Sequence, residues 1–203
     1  MDMYVIGLTG GIGSGKSTVA QLLEEQGAVI LSADKIGHEV YNPGRPAWQE
    51  IVDAFGDEIV AGDGTIDRKK LSAIVFSDPK NLAKLNSIVH PRMKGMMRER
   101  LAQMAREGAE MAVLEAALLF EAKWDDLVGE IWVTVAPPEV AAKRTAGRSG
   151  LPEAEILARI KSQMSNEERI QQSDVVIETD CPLEETERQA LEAWARLKQR
   201  LAG

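Results

Sequence analysis

The sequence of 203 residues contains a single cysteine, Cys181. One thiol excludes an intramolecular disulfide and supplies no cysteine cluster for a metal, so a reducing compartment is compatible. No apolar run approaches the ~20 residues needed to cross a bilayer, so no membrane association is expected. Basic residues are outnumbered, 24 Lys and Arg against 32 Asp and Glu, for a net charge of -8. That balance speaks against a general nucleic-acid binder. No basic segment precedes the strand-like Tyr4-Val5-Ile6, and a cytoplasmic location is expected. Internal repeats and low-complexity stretches are also absent. With 44% hydrophobic and 28% charged residues, the chain reads as one globular domain, or one core with insertions.

Directly after the apolar run Met3 to Leu8, residues Gly10-Gly11-Ile12-Gly13-Ser14-Gly15-Lys16-Ser17 spell G-x-x-x-x-G-K-[ST]. This is the phosphate-binding loop of nucleoside-triphosphate enzymes. Its glycines let the backbone curl so that successive N–H groups face an anion. Lys16 supplies a point charge for the β- and γ-phosphates, and the Ser17 hydroxyl is the usual Mg²⁺ ligand. A helix expected from Ser17 to about Gln26 aims its positive end at the same phosphates. Gly11, Ile12, Gly13, Ser14, Gly15, Lys16, Ser17 and Thr18 are therefore the ATP-binding candidates. A bland strand-to-helix turn would match the four specified positions by accident in only ~1% of chains this long.

The spacing predicts a strand over 3–8, the helix, a stop at Gly27 and a strand over Ala28–Leu31, which together make a βαβ unit and imply a parallel sheet. Asp34 then falls at the carboxyl end of the second strand, where open α/β sheets bind ligands. From 35 to about 107 the pattern is helical, with turns at Asn42-Pro43-Gly44 and Gly62-Asp63-Gly64 and a helix over Pro46–Phe55. Asp78 caps a further helix that starts at Pro79, and His90-Pro91 is expected to end it and open a long one over Arg92–Glu107. Strand character returns at Met111–Leu114, Ile131–Val135 and Val175–Ile177. Between the last two, a helix opened by Pro137-Pro138 is expected to be cut at Gly147 and Gly150, followed by one from Pro152 to Arg169. An amphipathic helix over Leu183–Leu201 closes the chain. The expected fold class is α/β, a P-loop NTPase fold with a five-stranded parallel sheet, a helical substrate-binding insertion and a lid.

A guanine-reading [NT]-K-x-D string and an L-S-G-G-Q string are both lacking, which leaves a small-molecule kinase ahead of a switch GTPase or an ABC-type ATPase. Such a kinase needs a group facing the acceptor hydroxyl and cations over the transferred phosphate. Asp34 is the candidate for the first, by accepting the hydroxyl proton or supporting Mg²⁺ through water; an N-cap role is the alternative. Glu115, after Ala112-Val113-Leu114, is either a metal-supporting acid or a surface carboxylate. Arg144 and Arg148 stand four apart on one helical face, where they repel unless a phosphate lies between them. Arg159 and Arg169 are weaker candidates, since Glu155 and Glu167 or Glu168 can pair with them. By itself, His90 reads as a helix-start residue beside Pro91.

The ordered set closely resembles the dephospho-CoA kinases. It comprises Ile6 through Thr18, Ser32-Ala33-Asp34, Asn42-Pro43-Gly44, Asp63-Gly64 before Arg68, His90-Pro91 and Leu118-Leu119-Phe120-Glu121. Lys143-Arg144 with Arg148, Arg159-Ile160 with Gln163-Met164, and Ser173-Asp174-Val175-Val176-Ile177 complete it. The resemblance implies transfer of the ATP γ-phosphoryl group to the ribose 3′-hydroxyl of dephospho-CoA, the last step of coenzyme A biosynthesis, with ATP and Mg²⁺ as cofactors. It implies a nucleotide-binding core over 1–34, 108–142 and 170–203, a helical acceptor domain over 35–107 and a lid over 143–169. By position Asp34 matches the acidic residue near the acceptor hydroxyl, Arg144 the lid arginine at the phosphates, and His90 the acceptor-domain H-P. Two departures stand out. Ala117 replaces a common proline, and Thr179 and Cys181 occupy the asparagine and glycine positions of V-I-x-N-x-G, so no base contact is carried over there. Another nucleoside or nucleotide kinase, and a nucleotide-binding regulatory protein, remain the alternatives. Oligomeric state is not legible.

Overall fold

Five short apolar runs form the strands β1 (Tyr4–Gly10), β2 (Val29–Ser32), β3 (Met111–Glu115), β4 (Glu130–Val135) and β5 (Val175–Glu178). The computed structural model describes residues 3–203 and joins these strands in one parallel sheet of order β2-β3-β1-β4-β5. Met1 and Asp2, with which the expected core segment 1–34 begins, lie outside the described residues. β4 is buried along its whole length and β3 nearly so. That suits parallel strands covered on both faces, which read as continuous apolar runs. β1 lies between β3 and β4, with Leu8 in register with Glu115 on one side and Trp132 on the other. The chain leaves β1 for one flank of the sheet and later returns to the other. The switch point, where such sheets bind ligands, is therefore at the carboxyl end of β1.

Helices α1 (Lys16–Glu25) and α9 (Leu183–Ala202) cover one face of the sheet. In α9 the buried residues Thr186, Ala190, Ala193, Trp194 and Leu197 recur at helical spacing. They pack with Val19 and Leu23 of α1 and with Ile6, Leu8 and Trp132 of the sheet. Burying each of the larger side chains contributes roughly 1.5–3 kcal/mol. The opposite face closes tightly over Gly7, where an added Cβ would lie 3.0 Å from Leu119 and from Val128.

The chain divides into two compact units, Met1–Leu31 with Gln103–Gly203, and Ser32–Ala102. The second is helical: α2 (Ala33–Glu39), α3 (Pro46–Phe55), α4 (Arg68–Ser77) and most of α5 (Pro79–Arg106). Asp67 caps α4 by accepting the N–H groups of Lys69 and Lys70. Asp78 accepts the Lys80 N–H at 2.9 Å, as expected for the start of α5.

Three helical expectations are corrected. α5 runs unbroken for 28 residues with Pro91 inside it. Proline removes one i to i−4 hydrogen bond and normally costs a helix about 3 kcal/mol. Here Val89, Met93, Met97 and Leu101 are buried at four-residue intervals, a face that continues straight through Pro91 and offsets that cost. The carbonyl that loses its partner belongs to Ser87, which is exposed and can turn to water. Next, α6 (Pro138–Ser149) passes through Gly147 and ends only at Gly150, whose φ of 70° makes a left-handed cap. Glycine merely weakens a helix, whereas a left-handed residue ends it. Finally, the single helix expected from Pro152 to Arg169 is two, α7 (Glu153–Lys161) and α8 (Asn166–Gln171). A capping box starts α8: Ser165 accepts the Glu168 N–H while Glu168 accepts the Ser165 N–H.

Candidate active site

β1 ends at Gly10 and α1 begins at Lys16, so the glycine-rich segment forms the loop between them at the switch point. Its curl is held from outside. The Ser14 N–H donates to the Gly11 carbonyl at 3.2 Å, and the buried Ser14 hydroxyl bonds Thr134 Oγ1 of β4 at 2.7 Å. Gly13 has a φ of 73° and lies so close to α6 that a Cβ there would overlap the Ala141 carbonyl oxygen. That position needs glycine for its backbone angle and for its lack of bulk alike.

Lys16 Nζ lies 2.8 Å from Glu115 Oε1, at the carboxyl end of β3, and the Ser17 hydroxyl donates to the same oxygen at 3.0 Å. The two charged side chains are only 12% and 13% exposed. Buried charges are stable only when paired, so this contact holds the two side chains in position. Of the two roles open to Glu115, the structure favours the one at the phosphate loop: its carboxylate faces Lys16 and Ser17, not solvent.

Arg144 and Arg148 of α6 line one cavity of about 360 Å³ together with Gly13, Gly15, Thr18 and Thr179. Arg144 donates to the Thr179 carbonyl at 2.7 Å and to its hydroxyl at 3.3 Å. The Thr179 hydroxyl in turn reaches the Ser14 carbonyl at 2.9 Å and the Val135 carbonyl at 3.1 Å. Thr179 thus ties together the loop, the end of β4 and the arginine, a role no local sequence signal announces. Cys181 lines the same cavity, and its thiol donates to the Glu178 carbonyl at 3.3 Å.

Arg159 pairs with Glu155 at 2.6 Å, as expected for an i, i+4 pair on an exposed face. Arg169 does not pair with Glu167 or Glu168. Only 2% exposed, it donates to Glu121 at 3.3 Å and to the Met164 carbonyl. Burial pulls its pKa below the ordinary arginine value, and the carboxylates of Glu121 and Glu168 oppose that shift.

Asp34 and His90 belong to the helical unit. Asp34 is exposed in the first turn of α2, two residues past the end of β2, and the N-cap of that helix is Ser32. Capping therefore does not account for Asp34. His90 stands inside α5, half-buried, and desolvation lowers its pKa from 6.5. The unfolded chain then binds the proton first, so the stability present above pH 6.5 is lost as pH falls through that value toward the folded pKa. Urea unfolding on either side of pH 6.5 should show this loss, and His90→Gln should flatten it. An unchanged slope in the variant would remove His90 as its source.

The chain matches the family model CoaE, dephospho-CoA kinase, over residues 4–185. It is 46% identical over 187 residues to the dephospho-CoA kinase of Carboxydothermus hydrogenoformans, covering 92% of this chain and 91% of that one. A solved protein of Thermus thermophilus superposes with a TM-score of 0.82 at 35% identity, over 97% of this chain and 98% of its own. The dephospho-CoA kinase of Campylobacter jejuni does so with a TM-score of 0.72 at 25% identity, over 96% and 97%. These likenesses run along nearly the whole length. The chain belongs to the dephospho-CoA kinase family.

Proposed function

We propose that this protein transfers the γ-phosphoryl group of ATP to the ribose 3′-hydroxyl of dephospho-CoA, giving coenzyme A and ADP in the final step of coenzyme A biosynthesis. The observation that carries the proposal is the cluster of Lys16, Ser17 and Glu115 on a glycine-rich loop, in a chain of this family. Lys16 and the loop amides hold the phosphates. The Ser17 hydroxyl and the Glu115 carboxylate are hard oxygen donors 3.0 Å apart, which suits Mg²⁺. That ion commonly takes one or two protein oxygens and completes its shell with phosphates and water. Among the described residues no group of three or more His, Cys, Asp or Glu is arranged for a metal, consistent with a site shared with the nucleotide. Mg²⁺, when bound, supplies charge neutralisation at the β- and γ-phosphates.

Asp34, exposed past the carboxyl end of β2, accepts the proton of the attacking 3′-hydroxyl. Arg144 exchanges the Thr179 carbonyl for a phosphate oxygen, a stronger, charge-assisted acceptor, and Arg148 joins it from the next turn of α6. His90 lies on the acceptor side. Residues 35–107 form the acceptor domain and 143–169 the lid, with 1–34, 108–142 and 170–203 as the nucleotide-binding core. The partner is a small molecule, not a nucleic acid or a membrane, and the location is the cytoplasm. Among the described residues no helix is long and apolar enough to cross a membrane. A panel of acceptors tests the assignment. Dephospho-CoA should give the highest kcat/KM; a preference for a nucleoside or nucleoside monophosphate would replace it with another kinase activity.

A further inference from the structure

The Ile12 N–H of the phosphate loop donates to the side-chain oxygen of Gln163, 3.1 Å away, from the turn between α7 and α8. The turn that presents Gln163 is itself held firmly. Arg169 donates to the carbonyl of the adjacent Met164, the Ser165 capping box fixes the first turn of α8, and Asn166 donates to the Ala136 carbonyl at 2.9 Å. The Arg169 guanidinium also packs on the loop: a Cβ on Gly11 would sit 3.4 Å from its Nη1 and 3.4 Å from Gln163 Oε1. Arg169 Nε is buried without a hydrogen-bond partner. An arginine this deeply buried, with one donor unsatisfied, costs free energy that its placement must offset.

We propose that Gln163 is a positioning residue for nucleotide binding: its side-chain oxygen fixes the Ile12 peptide plane, and Arg169 anchors the turn that delivers it. Ile12 precedes Gly13, whose left-handed backbone turns the loop. A rotation of the Ile12 peptide would therefore misdirect the donors that follow. A glutamine oxygen suits this task, because it accepts the N–H without adding negative charge where a polyanion binds. The inference rests on the kinase assignment for its purpose. Its test is read without turnover, so that failure of the acceptor assignment leaves it intact.

The experiment compares Gln163→Met, which keeps the side-chain length but removes the acceptor, with Gln163→Glu, which restores an acceptor. The readouts are hydrogen exchange at the Ile12 amide by NMR and the Kd of Mg-ATP measured by calorimetry without acceptor. Gln163→Met should speed Ile12 exchange and weaken Mg-ATP about three- to tenfold, the loss expected for one neutral hydrogen bond. Gln163→Glu should restore Ile12 protection, and the melting temperatures should agree among the three proteins. Unchanged exchange in Gln163→Met would overturn the contact. Faster exchange with an unchanged Kd would overturn the positioning role. If Gln163→Met loses stability as well, Gln163→Glu decides: unprotected Ile12 in a folded Gln163→Glu overturns the proposal.

Discussion

Asp34→Asn should reduce kcat with dephospho-CoA by about 10²–10⁴-fold, the range expected for loss of a positioned general base. The substitution is isosteric, so the acceptor should bind as before and KM should change little. The fold should survive, because Asp34 is exposed and the cap of its helix is Ser32. A hydroxyl attacking phosphorus must lose its proton, and an amide cannot take it. A variant that turns over within a few-fold of the parent would remove Asp34 from proton transfer and leave it a surface residue of α2.

Lys16→Ala should lower kcat by about 10²–10³-fold, comparable to removing one preorganised donor from a developing anion. Two effects contribute. The β/γ-phosphates lose their point charge, and Glu115, only 13% exposed, keeps the Ser17 hydroxyl but loses the cation 2.8 Å away. A mostly buried carboxylate without its cation is costly, so thermal unfolding should show moderate destabilisation as well. Lys16→Ala together with Glu115→Gln should recover stability but not turnover, because the phosphates still lack their lysine and the site has also lost a carboxylate oxygen for Mg²⁺. Recovery of turnover in the double variant would contradict a direct role for Lys16 at the phosphates.

Most of the framework was legible because it is written in local chemistry. The phosphate loop, the βαβ unit, the helix over Pro46–Phe55 and the Asp78–Pro79 start all lie where short-range rules place them. The failures have physical causes. Pro91 reads as a break, yet the buried face from Val89 to Leu101 carries α5 through it, a tertiary effect invisible in the dipeptide. The division between α7 and α8 was readable, since Ser165 and Glu168 have capping-box spacing, but the run of helix formers masked it.

At the site, Lys16, Ser17 and the arginine pair were accessible from spacing alone. Their pairings were not. Glu115 pairs with Lys16 across 99 positions and Thr179 with Arg144 across 35. Such contacts depend on strand order, which a single chain does not state. Arg169 shows the same limit: its neighbours in sequence offered Glu167 and Glu168, but the fold turned it inward to Glu121.

Transfer to the ribose 3′-hydroxyl is tested by comparing dephospho-CoA with its 3′-deoxy analogue as acceptors, with Mg-ATP and mass detection of the product. Dephospho-CoA should gain one phosphate with matching ADP release, while the analogue should gain none and leave ATP intact. Phosphorylation of the 3′-deoxy compound, or ADP release indifferent to either acceptor, would contradict it.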